Sequence, residues 1–279
     1  MRRLLPFLSI PVLVGCSAVG ILNGITPSSS FERTKNVAYG EGERAVMDIY
    51  RADSPKPDAP GIVFVHGGSW DSGDKSIYKF LAEGFTKDGF DVAVPNYRLY
   101  PEARYPDMIV DTAAAVRAAG EAFGGPVVMI GHSAGGYNVL MAAMATDVSG
   151  LDVCESVAGV VALAAPTGAY ELKAERLVTI FPDRFQGDDA PLRRVPDRMP
   201  PVMLVNGLDD TTVGPRNTEV LADAMEARGL RVSQHLYEGM DHTDPVRVLS
   251  RHFDGGSPLK GDILGFIDGL ATDGDTCAR

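Results

Sequence analysis

The sequence predicts an α/β protein built on a mainly parallel sheet with helices on both faces. Three observations predict it. Apolar runs at Ile62–Val65, Val92–Val94, Val127–Ile130, Val157–Ala165 and Val202–Val205 are continuous rather than alternating, the pattern of strands buried on both faces. Stretches around 75–88, 106–122, 135–146, 216–228 and 260–270 carry Ala and Leu at spacings of three and four, the helical period. From about residue 34 the two patterns take turns along the chain, and such turn-taking builds crossovers and hence parallel pairing.

Composition agrees with one sizeable folded unit. The chain has 279 residues, 45% hydrophobic and 23% charged, which excludes disorder and a disulfide-dense miniprotein. Its net charge of −11 would repel a phosphate backbone, so no nucleic-acid partner is expected.

In chain order, the first element is a leader. Met1-Arg2-Arg3 is basic and Leu4 to Val14 is apolar with only Ser9 clearly polar, the layout of a signal peptide over residues 1–15. The run is too short to span a bilayer, which takes about 20 apolar residues, and Pro6 and Pro11 interrupt it. Leu13-Val14-Gly15-Cys16 resembles the bacterial lipobox. That resemblance implies an exported chain, lipidated at Cys16 and held at the cell envelope by its acyl chains. Loss of Arg2 and Arg3 would leave a net charge of −13, so the lipid would be the only membrane contact. An ordinary secretory signal, or an uncleaved anchor running through Ile25, are the plainer alternatives. Residues 16–33, with Gly, Pro and a serine run, read as a tether.

The folded domain is expected over 34–272, with 273–279 as a tail. Segments near 34–39 and 44–51 alternate in polarity and predict an antiparallel hairpin at the sheet edge. Residues 167–200 exceed a usual connection and hold Pro182, Pro191, Pro196 and Pro200, which makes them a small lid or an irregular loop on the substrate side. Cys154 and Cys277 could pair in an oxidising compartment, or could be one buried and one loose thiol.

Chemistry enters at Gly131-His132-Ser133-Ala134-Gly135, which fits G-x-S-x-G between an apolar strand and a helix. Such a strand–turn–helix strains the serine and crowds the positions two residues either side, hence the glycines. A serine needs a base to take its proton, and the base needs a carboxylate to orient it. Of five histidines, His132 adjoins the serine and should point elsewhere, and His66 sits in a strand-end loop as a brace. His235 lies inside a strand pattern, and His252 is in a charged segment. His242, in the loop after the last predicted strand, remains as base, and acid should switch activity off by protonating it. Asp209 and Asp210 follow the strand Pro201 to Asn206, and spacing leaves both open as the acid; Asp241 and Asp244 share the loop of His242 and are weaker. The strand Ile62–Val65 runs into His66-Gly67-Gly68-Ser69-Trp70, whose Gly68 and Ser69 amides, with that of Ala134, could receive an oxyanion. Trp70 reads as packing beneath that loop.

These motifs resemble those of the α/β-hydrolase superfamily, in the hormone-sensitive-lipase-like and feruloyl-esterase-like carboxylesterase branch, over about residues 40 to 270. His66-Gly67-Gly68-Ser69-Trp70 is similar to the branch's H-G-G-G-W motif, with Ser69 replacing the third glycine. Asn96-Tyr97-Arg98-Leu99-Tyr100-Pro101-Glu102 resembles its Y-R-L-x-P-E stretch, which implies a structural ion pair of Arg98 with Asp111. Its G-x-x-D-x-x-V motif falls on Gly207, Asp210 and Val213 and favours Asp210 as the acid; the branch's large N-terminal cap has no counterpart. The resemblance implies an eight-stranded α/β-hydrolase fold with at most a small lid. It also implies a serine esterase that takes a small-molecule ester, with Ser133, Asp210 and His242 as triad and Gly68, Ser69 and Ala134 as oxyanion hole. No metal or organic cofactor is expected. Hydrolysis of amides, of the peptidase or aryl-formamidase type, and a binding module that kept the fold without turnover are the other readings. Nothing in the pattern sets an oligomeric state.

Overall fold

A computed structural model describes residues 23–251, 255–270, 276 and 277. The leader, Cys16, the first part of the tether, His252 and most of the tail lie outside the described residues.

Eight strands form one sheet: β1 (Phe31–Ala38), β2 (Val46–Ala52), β3 (Gly61–Val65), β4 (Val92–Pro95), β5 (Val127–His132), β6 (Val157–Leu163), β7 (Val202–Gly207) and β8 (Val232–Tyr237). Their spatial order is β1-β2-β4-β3-β5-β6-β7-β8. β2 pairs antiparallel with both β1 and β4, and every later pairing is parallel. The expected edge hairpin is therefore β1–β2. Among the described residues, the α-helices that follow β3 are α1 (Lys79–Thr86), α2 (Asp107–Phe123), α3 (Ala134–Met144), α4 (Thr146–Ser149), α5 (Val153–Ser156), α6 (Glu175–Ile180), α7 (Arg216–Glu226), α8 (Asp244–Arg247) and α9 (Leu259–Leu270).

Alternate residues of one strand feed two cores, which is why the central strands carry no polar face. On β3, Val63 and Val65 pack with Ile109, Val116, Leu140 and Leu221 from α2, α3 and α7. Ile62 and Phe64 pack on the opposite face with Phe80, Leu81, Ile263 and Ile267 from α1 and α9. Arg98 donates from Nε and Nη2 to Asp111, the latter at 2.7 Å, and so pins the loop after β4 to α2.

Cys154 and Cys277 form a disulfide, Cα to Cα 5.5 Å. The bridge closes a loop with a sequence separation of 123. Thr276 Oγ1 also donates to the Cys154 carbonyl at 2.6 Å. Cys154 lies in α5, the turn that leads into β6, so the bridge sits at the end of the sheet where the parallel strands begin.

Residues 167–200 are anchored by a few buried side chains among exposed ones. Phe181, Phe185, Asp189 and Ala190 are buried. The rings of Phe181 and Phe185 stand 4.6 and 6.2 Å from that of Trp70. Tyr137 stacks on Phe185 at 5.1 Å and donates its hydroxyl to the Asp189 carbonyl.

Candidate active site

Strand β5 delivers Ser133 at its carboxyl end, where φ 53 and ψ −120 turn the chain directly into α3. A non-glycine residue in that region costs on the order of 1–3 kcal/mol, held here by the packing around it. The flanking glycines have a steric cause. A Cβ on Gly131 would lie 2.2 Å from the Gly135 carbonyl oxygen, and one on Gly135 would lie 2.1 Å from that of Val65.

Two further strand-end loops meet the serine. Ser133 Oγ lies 2.9 Å from Nε2 of His242, which follows β8, and Nδ1 of His242 lies 2.8 Å from Oδ2 of Asp210, which follows β7. Nδ1–H donates to the carboxylate, so Nε2 carries the lone pair that faces the hydroxyl. The other oxygen of Asp210 accepts the amides of Thr212 and Val213, both at 2.8 Å. The Asp210 side chain is fully buried and that of His242 is 17% exposed. Asp209 is exposed, and its amide donates to the Met240 carbonyl. Asp241 and Asp244 are taken up in turn bonds and, for Asp244, in a pair with Arg247. Of the carboxylates weighed, the structure brings Asp210 to His242.

The loop after β3 closes over the same point. Gly67 packs so tightly that a Cβ there would lie 3.1 Å from that of Ser133. The Gly68 carbonyl accepts Asp71 N at 3.1 Å, Ser72 N at 3.0 Å and Ser72 Oγ at 2.8 Å. In a trans peptide the next N–H points the opposite way, so these bonds fix the direction of the Ser69 amide. Ser69 and Trp70 both take positive φ, 51 and 61. Trp70 is buried, and its indole N–H donates to Asn138 Oδ1 at 3.0 Å, tying the loop to α3. Among the described residues, no three His, Cys, Asp or Glu converge where they could hold a metal ion.

Known proteins share this frame. Esterase B from Lactobacillus Rhamnosis (HN001) superposes with a TM-score of 0.76 at 17% identity, covering 92% of this chain and 91% of that one. A hormone-sensitive lipase from a metagenome library gives 0.73 at 19% identity, covering 91% of each. The chain has the α/β-hydrolase fold. A family model described as BD-FAE matches residues 47–176 of this chain, a span that holds the Gly68 loop and the Ser133 turn and stops before Asp210 and His242. The isoprenylcysteine alpha-carbonyl methylesterase ICME of Arabidopsis thaliana is 26% identical over 87% of this chain, and the chain spans 64% of that protein's length. A kynurenine formamidase of Danio rerio is 24% identical over 89% of this chain and 87% of its own length.

Two of the other described histidines sit where the sequence places them. His66 is buried, stacks on Tyr97 at 4.6 Å and holds the Gly67 carbonyl through Nδ1 at 2.7 Å, the bracing role expected of it. His235 lies on the edge strand β8. His132 departs from expectation. Its ring turns away from the serine hydroxyl but stays in the site, 5.0 Å from the ring of His242, because alternation along β5 puts it on the face where Val128 and Ile130 pack in one cluster with Met240 of the histidine loop. Arg176 is a contact that sequence reasoning missed: from α6 it pairs with Asp71 of the Gly68 loop. An isolated arginine in an irregular segment gives no sequence signal.

Proposed function

We propose that this chain is a serine carboxylesterase. Ser133 attacks the ester carbonyl while His242 takes the hydroxyl proton, and Asp210 holds the imidazole in the tautomer that can accept it. The Gly68, Ser69 and Ala134 amides receive the charge that develops on the carbonyl oxygen. His242 then passes its proton to the departing alkoxide, and a water activated by the same ring releases the acid from Ser133. The reading is carried by one observation, the 2.9 and 2.8 Å contacts that link Ser133, His242 and Asp210 at a strained strand–helix turn. The esterase names among its relatives and structural neighbours add support.

The test is hydrolysis of a p-nitrophenyl ester series, acetate through palmitate, by the chain and its Ser133→Ala variant. Turnover that disappears with the serine is the expected result. A folded protein that neither turns over nor reacts with a fluorophosphonate sinks the reading in favour of a binding module.

Formamide hydrolysis is the second reading, favoured by the nearly full-length match to a kynurenine formamidase. A formanilide assayed beside the esters separates the two; an alkoxide leaves more readily than an amide nitrogen, which places the ester first. The proposal includes export and lipidation at Cys16, supported by the basic start and the apolar run that ends at that cysteine. Incorporation of an alkyne fatty acid in a bacterial host, lost in Cys16→Ser, is the check.

A further inference from the structure

We propose that His132, the residue before the nucleophile, is a positioning residue that sets the place of His242 by holding its main chain. The inference rests on the reading of Ser133 and His242 as nucleophile and base. Nε2 of His132 donates to the main-chain carbonyl of His242 at 2.7 Å. The ring that does so is buried, 8% exposed. Two residues adjacent in the chain therefore grip one residue at two points: Ser133 meets its imidazole and His132 takes its carbonyl. A single bond fixes a distance, whereas two from one rigid turn also fix an orientation.

The histidine loop has other anchors, but they act elsewhere. The Met240 carbonyl accepts the Asp209 amide at 3.1 Å, two residues earlier. Asp241 and Asp244 close the turn on itself through the amides of Thr243 and Asp241. Neither ties His242 to the strand that carries the nucleophile, and the His132 bond does.

The donor also suits its neighbour electrically. Burial pushes the His132 ring down to about 4, and the nearby His242 ring adds to the effect. His132 is then a neutral N–H donor while His242 takes up a proton, so no second cation opposes the imidazolium across 5.0 Å. Packing leaves no slack: a Cβ on Gly67 would lie 3.2 Å from Nδ1 of His132 and 3.0 Å from its carbonyl oxygen. His132 thus sits between the Gly68 loop and the histidine loop and touches both.

His132→Phe keeps ring bulk and removes the donor, while His132→Gln supplies an N–H at a similar reach. The measurements are thermal melts, kcat and KM on p-nitrophenyl butyrate, and the rate of fluorophosphonate labelling of Ser133. A misplacement of about 1 Å costs roughly 100-fold. The expected result is therefore a folded Phe variant with kcat and labelling rate lowered about 10- to 100-fold, KM within about twofold, and most of the rate restored by Gln. Wild-type kcat in the Phe variant overturns the proposal. So does an equal loss in Phe and Gln that tracks a fall in melting temperature, since that assigns the effect to packing. If the Phe variant does not fold, His132→Asn, one bond shorter, is compared with Gln: a slower Asn supports the tether and equal rates overturn it. A wild-type chain with neither turnover nor labelling overturns the esterase reading itself, a result distinct from all of these.

Discussion

Arg176 reaches from α6 to the loop beside Ser133, where Nη1 donates to the Ser69 carbonyl at 3.0 Å and meets Asp71 Oδ2 at 2.5 Å. The pair is part-exposed, 40% and 33%, so its electrostatic worth is at most about 1 kcal/mol. Its effect lies in holding the peptide that follows a candidate oxyanion donor. Arg176→Met is expected to lower kcat about 3- to 10-fold with little change in thermal stability, a small loss of alignment at the donor. Arg176→Lys should recover part of it. Steady-state kinetics with parallel melts decide the matter, and an unchanged kcat rules the link out.

Asp209 and Asp210 are neighbours with opposite surroundings, and substitution should separate them. Asp210→Asn puts an N–H donor or a wrong tautomer against His242, and the loss in kcat should be on the order of 10⁴-fold. Asp209→Asn, at an exposed position, should stay within about twofold of wild type. Both are read on one ester at 25 °C after folding is verified by circular dichroism; comparable losses in the two would contradict the assignment.

Acid sensitivity follows from two buried rings. Burial pushes both His66 and His132 down to about 4, while an unfolded chain protonates histidine near 6.5. Between those values the unfolded state binds more protons, so stability falls as pH drops from about 6.5 to about 4, by up to about 3 kcal/mol per ring. Asp48 acts lower. Burial alone would raise its carboxyl, but hydrogen bonds from Lys75 and Arg33 hold it below the usual carboxylate range, and that stabilisation is lost only as pH falls through its depressed value. Asp189, raised by burial, works in the opposite sense as a single group. Urea midpoints at pH 7.5, 5.5 and 4.5 should decline step by step, and less steeply in His132→Gln. A flat series would refute the assignment.

The Cys154–Cys277 bridge closes a 123-residue separation, for which chain entropy predicts about 4–5 kcal/mol. It lies at the opposite end of the sheet from Ser133. Cys154→Ser with Cys277→Ser is expected to lower the melting temperature on the order of 10 °C and to leave ester turnover at 25 °C within about twofold. Loss of turnover in a folded double variant would show coupling through the sheet.

Ser69 holds a left-handed conformation that glycine adopts without cost, a relief of about 1–2 kcal/mol partly offset by the freer unfolded chain. Ser69→Gly should melt at or slightly above the wild-type temperature and keep kcat within about threefold, because the amide is retained. Ser69→Pro removes the N–H and cannot take the positive φ, so it should cost at least about 100-fold through both effects. Equal activity in both would exclude this amide as a donor.

The strands and long helices were readable because burial on two faces and a 3.6-residue period leave signals several residues long. One-turn helices such as α4, α5 and α8 leave none, since a single turn cannot show a period. Ser133 was readable from its G-x-S-x-G setting after an apolar strand and His242 from the loop after the last predicted strand, while adjacency alone left Asp209 and Asp210 open. The face that the His132 ring takes follows the pleat of β5, but which loop covers that face is set by the order of the strands in the sheet, which no local pattern carries. The roles of Phe181 and Phe185 arise from their meeting with Trp70 across more than a hundred residues, beyond any local pattern.

Ser133 and His242 are separated by 109 residues, and His242 follows β8, the last strand of the sheet in the chain. During synthesis, therefore, the serine waits as an ordinary alcohol until most of the chain has emerged. On the proposed reading, a ribosome that stalls before the last strand leaves an inert product, and a protease that removes the histidine loop leaves Ser133 without its base.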